Sequence, residues 1–146
     1  MKFEREFNFI DLLIIGYYKA GYDFYYEKFD ESYNIFYEIL SKCVIPEVQE
    51  LFLFELRIPI FIIIIDICRG NEPDLNYFID LIGSTLMNPA IKYLERRPIH
   101  IFEDAVSNVI YRIKIFQERE NKWKVNLDEL VERLTPYFDE IRNILI

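Results

Sequence analysis

The sequence predicts an all-α protein: a compact single-domain bundle of about five to six helices around one central apolar helix, Pro46 to Arg69, kinked or broken at Pro59. Three observations predict it. Apolar residues recur at alternating spacings of three and four along most of the chain, which sets them on one face of a 3.6-residue repeat. Pro46, Pro73, Pro89 and Pro98 each stand where a helix could have its first turn, a place where the missing N–H costs little. The run at residues 58–65 is apolar on every side, so it needs neighbours all round.

The elements follow in order. FNFIDLLIIGYYK reads as a first helix. From Tyr22 to Lys42 the apolar residues Tyr22, Tyr26, Phe29, Tyr33, Phe36 and Leu40 line one face of a continuous helix. Its other face collects Asp23, Glu27, Asp30, Glu31 and Glu38 into an acidic stripe turned to solvent or to a basic partner.

The central run comes next. Glu47 and Glu50 follow Pro46 in a favourable first turn, and Arg69 then Gly70 supply a cationic last turn and a permissive exit. Pro59 removes one hydrogen bond and crowds the preceding turn, at about 3 kcal/mol in a straight helix, hence the expected kink or break. A membrane span needs about 20 apolar residues, and this run is hemmed by Glu55, Arg57 and Asp66. A strand would suit the β-branched isoleucines, but the chain offers no alternating segment to pair with it.

PDLNYFIDLIGSTLM forms a further helix, closed by Asn88 and Pro89. IFEDAVSNVIYRIKIFQ carries its apolar stripe on Ile99, Phe102, Val106, Val109, Ile113 and Phe116. NLDELVERLTPYFDEIRNIL does so on Leu127, Leu130, Leu134, Tyr137, Ile141 and Leu145; Asn126 with Glu129 approximates a capping box, and Pro136 marks a kink or a fresh start in the same phase.

Function classes are narrowed mainly by exclusion. A net charge of -8 disfavours direct nucleic-acid binding. The four glycines form no phosphate-binding loop, and the one histidine, His100, has no serine or cysteine partner in a nucleophile motif. Glu47 with Glu50 and Glu129 with Glu132 have the one-turn spacing that metal-dependent helical phosphohydrolases use, but no Glu-x-x-His pair joins them, so neither metal nor cofactor is expected. Cys43 and Cys68 are too far apart for a redox motif, and the acidic residues near the N-terminus do not suit a secretion signal, so a cytoplasmic location is expected; a disulfide between them would require two helices to bring them together.

Charge is uneven. Residues 92–124 hold eight bases and five acids, net +3, and leave the remainder at -11. Lys92, Arg96, Arg97, Lys122, Trp123 and Lys124 therefore form a candidate basic contact segment, opposite in sign to the acidic stripe. An aromatic content of 17% exceeds what a core of this size needs, and surplus aromatic rings are used at interfaces. The expectation is a non-enzymatic acidic regulatory protein whose partner is a protein with a basic surface. By composition alone the chain is similar to small acidic inhibitors of archaeal viruses, which implies a nucleic-acid-binding groove of RNA polymerase or a CRISPR effector as the target. A helical groove receptor of the Bcl-2 type is one alternative, and it requires an exposed apolar cleft; a metal-dependent helical phosphohydrolase using the paired carboxylates is the other.

Overall fold

The computed structural model describes residues 9–43 and 53–146. Every regular element among them is helical: α1 (Phe9–Tyr25), α2 (Phe29–Cys43), α3 (Phe54–Cys68), α4 (Leu75–Leu86), α5 (Pro98–Arg119) and α6 (Leu127–Leu145), with a 3-10 turn at Pro89–Tyr93. Helix α3 packs against all five others, so the isoleucine run is the axis of a helical bundle. From Phe54 to Ile67 each of its residues is buried except Arg57.

The helix runs through Pro59 without interruption, so of the expected kink or break the break does not occur. Pro59 lies only a turn and a half from the first described helical residue, and its missing N–H withdraws a donor from a single carbonyl, that of Glu55. The exit follows the sequence. Asn71 N–H bonds the Asp66 carbonyl at 2.8 Å and Gly70 N–H bonds that of Ile67 at 3.1 Å, with Gly70 at φ 77°, a left-handed cap that glycine adopts without strain. The expected entry at Pro46, with Glu47 and Glu50, lies outside the described residues.

The continuous helix expected from Tyr22 to Lys42 is instead the end of α1 and the whole of α2. Glu27 adopts φ 63°, and the N–H groups of Lys28 and Glu27 bond back to the carbonyls of Asp23 and Phe24 at 2.8 and 3.0 Å. These two bonds close α1 in the pattern usually given to glycine. The break resets the helical phase: Phe36 and Leu40 are buried, whereas Tyr22 turns outward and is 57% exposed. Helices α1 and α2 then pack through Ala20, whose carbonyl accepts the buried hydroxyl of Ser32 at 2.8 Å.

The remaining starts follow the punctuation. Asp74 caps α4 by accepting Tyr77 N–H, Asn88 caps the 3-10 turn by accepting Ala90 N–H, Pro98 opens α5, and Asn126 accepts Glu129 N–H at 3.0 Å to open α6. Pro136 sits inside an unbroken α6. Arg142 ties α6 to α5 through Glu103 while also bonding Asp139. Among the described residues no helix is long and apolar enough to cross a membrane.

Candidate functional site

Of the residues expected to form an acidic stripe, Glu27, Asp30, Glu31 and Glu38 are exposed and Asp23 is not. Asp23 is fully buried, and its carboxylate is held by Lys19 Nζ at 2.7 Å. Glu27 bonds the backbone N–H of Trp123, Asp30 pairs with Arg69 at 3.1 Å, and Glu38 pairs with Lys42 at 2.9 Å. Only Glu31 of the five is exposed with no such bond among the described residues. Periodicity set these acids on one face of a single helix; the turn at Glu27 divides that helix and moves Asp23 inward.

The basic segment divides as well. Lys92, Arg96 and Arg97 precede α5, whereas Lys122, Trp123 and Lys124 follow it, and a 22-residue helix holds the groups about 33 Å apart. Trp123, expected as a surface contact, is wholly buried, and its indole N–H donates to the Tyr25 carbonyl at 2.9 Å. Lys92 lies over the Tyr93 ring, Lys122 lies over that of Tyr26, and Lys124 bonds Asn121. Arg97 is exposed at the N-terminal end of α5, and His100 is exposed in that helix's first turn.

What the fold does build is a groove of about 920 Å³ between α1 and α5, floored by α3. Tyr17, Tyr18, Tyr22 and Tyr25 line it from α1; Arg57 and Phe61 rise from α3; Ala105, Val109, Arg112 and Phe116 face it from α5. The connector carrying Tyr93, Glu95 and Arg96 bounds it on another side. Tyr25 stacks on Phe116 with ring centres 5.3 Å apart and interplanar angle 20°, and Arg112 lies over the Tyr25 ring at 5.9 Å. Tyr17 stacks on Phe54 at 4.5 Å and is thereby fixed from below.

The surface of the groove is open to contact. Tyr18, Tyr22 and Tyr93 are 70%, 57% and 78% exposed. A Cβ placed on Gly21 would meet nothing within 4 Å, so the wall between Tyr18 and Tyr22 has free space before it. Burial raises the Tyr17 and Tyr25 phenols above their ordinary pKa, so both hydroxyls stay protonated and able to donate at neutral pH.

Three arginines and two acids line the groove, a local cationic excess in a chain of net charge -8. Arg96 is paired with Asp104 at 2.5 Å. Among the described residues Arg57 and Arg112 have no carboxylate at ion-pair distance. The chain matches no protein-family model, no curated protein and no solved structure.

Among the described residues no group of three or more His, Cys, Asp or Glu side chains is placed to hold a metal ion. Glu129 and Glu132 are exposed on α6, and Glu47 and Glu50 lie outside the described residues. Cys43 and Cys68 are not joined in a disulfide. Burial pushes their thiols up to about 12 and about 11, so neither supplies a thiolate at neutral pH.

The residues of the groove escape the sequence reading because they belong to three helices and a connector whose contacts the linear sequence does not reveal. Two signals pointed toward it. The aromatic surplus indicated an interface, and Tyr18 with Tyr22 brackets Gly21 at one-turn spacing, leaving two rings with a gap between them.

Proposed function

We propose that this protein is a non-enzymatic helical binding module that works by occupancy, seating a segment of a partner protein in the groove between α1 and α5. The observation that carries the reading is the lining itself: exposed tyrosines around Phe61, with Arg57 and Arg112 in no ion pair among the described residues, in a cleft of about 920 Å³. Tyrosine and arginine are the side chains that dominate binding energy at protein interfaces, because each couples a large contact area to directional donors.

Gly21→Leu tests it. The new side chain projects into free space and suits the helix interior better than glycine, so the variant folds while its groove is filled. Peptides selected from a displayed helical library on the full chain are expected to compete for one site and to lose roughly tenfold or more in affinity for Gly21→Leu. Selected binders that ignore the substitution would place the working surface elsewhere.

A second reading, an inhibitor that occupies a basic nucleic-acid-binding groove through its acidic surface, draws support from a different face. Asp128, Glu129, Glu132, Asp139 and Glu140 are all exposed on α6. The net charge of -8 would favour approach to such a target at low salt.

A further inference from the structure

We infer that the occupant of the groove is an amphipathic helix with carboxylates along one flank, and that Asp104 holds the place of one of those carboxylates on Arg96 while the groove is empty. The inference rests on the binding-module reading above and specifies its partner.

The walls decide helix over extended chain. Both are helices, whose backbone groups are already bonded, so an extended peptide would find no free ladder to join. A helix needs no backbone partner and offers side chains at one-turn intervals to the grooves between those of its neighbours. Along α5 the lining runs from Ile101 to Phe116, about 22 Å at 1.5 Å per residue, which matches a guest helix of about fifteen residues. Such a guest would lie between α1 and α5 over Phe61, completing the layer that covers α3.

Charge decides the flank. Arg57 and Arg112 line the groove with no ion pair among the described residues. The Arg96 guanidinium sits at Asp104, two turns of α5 and about 12 Å from the position of Arg112. A guest with acids seven or eight residues apart would span that distance. Arg96 and Asp104 are both more than half exposed, and an ion pair so exposed is weak, so a guest carboxylate displaces Asp104 at little cost.

The test uses the full chain and three fluorescein-labelled peptides of about sixteen residues with one apolar face and a flank of Glu, Lys or Gln at positions i and i+7. Binding is read by anisotropy at about 50 mM and about 300 mM salt. The Glu peptide is expected to bind roughly tenfold tighter than the Gln peptide at low salt, to lose most of that advantage at high salt, and to yield to the Lys peptide on the Arg112→Glu variant. Asp104→Asn, which releases Arg96, is expected to tighten the Glu peptide about threefold. Equal binding of the Glu and Gln peptides, both abolished by Gly21→Leu, would overturn the acidic flank and leave the groove module standing. Binding that Gly21→Leu does not weaken, or no peptide binding while a fluorescent nucleotide binds, would overturn the helical occupant. Weaker binding by Asp104→Asn would overturn the place-holding role of Asp104.

Discussion

The Oε1 atom of Glu27 accepts the backbone N–H of Trp123 at 2.8 Å, although the two are 96 residues apart in the chain. Both stand in left-handed backbone, at φ 63° and 58°, a conformation that side-chain-bearing residues keep only when their surroundings hold them there. The tryptophan answers with its indole N–H on the Tyr25 carbonyl, one of the carbonyls left without a helical donor at the end of α1. The turn between α1 and α2 and the connector between α5 and α6 therefore fold as one unit. Tyr25, held by this unit, lines the groove against Phe116.

Trp123→Phe removes the indole donor but keeps a ring among Phe24 and Phe29, and it is expected to cost about 1–3 kcal/mol. Trp123→Ala leaves a large void and is expected to cost about 3–5 kcal/mol. Urea unfolding of the two variants measures both. A loss under about 0.5 kcal/mol for Trp123→Ala would mean that the connector is not anchored as described.

A second long-range contact joins α4 to α3. The Thr85 hydroxyl lies 2.7 Å from Glu55 Oε2 and 2.9 Å from the Leu81 carbonyl, yet it has one hydrogen to donate. That hydrogen is shared between two acceptors, the Glu55 carboxylate and the Leu81 carbonyl. Burial raises the Glu55 carboxyl above its ordinary value, partly opposed by Thr85, in a site where the other titratable neighbours are Cys43 of α2 and Tyr77 of α4 among the described residues. Since the folded pKa is raised, the stabilisation is complete below the ordinary carboxyl range and is lost as pH rises through the raised value. Asp66, raised by burial against the lowering effect of Arg69, acts with the same sign. Glu55→Gln, whose amide cannot ionise and whose oxygen can still accept from Thr85, is expected to show a flatter loss of stability as pH rises above the ordinary carboxyl range. An unchanged pH profile in chemical denaturation would contradict this assignment.

Pro136 is exposed in the interior of α6, where it withdraws a donor from the Glu132 carbonyl and fills no core space. Pro136→Ala is expected to stabilise the fold by about 1–3 kcal/mol, read as a rise of several degrees in Tm. A lower Tm would show that α6 needs its proline.

The axis and the caps were legible in the sequence because they depend on local chemistry. The isoleucine run, the Arg69–Gly70 exit, and the Asn126 cap all appear as read, since periodicity and capping act within one or two turns. The same locality explains the errors. Glu27 looked like an exposed acid on a continuing helix because nothing within four residues announces a left-handed cap there; its stabiliser, Trp123, is distant in sequence. Trp123 looked available because its neighbours are lysines, yet its burial depends on Phe24 and Phe29. The groove was invisible for that reason too, being a relation between α1, α3 and α5 and not a property of any one of them.

The central claim is that the groove between α1 and α5 is the working surface. Methyl NMR of the full chain, titrated with the acidic helical peptide, tests it most directly. The methyl signals of Ile101, Ala105 and Val109, which line the groove, are expected to shift in wild type and to stay still in Gly21→Leu. Shifts centred on Val131, which is 39% exposed on α6 beside its acids, or no shift at Ala105 and Val109 on saturation, would contradict the account.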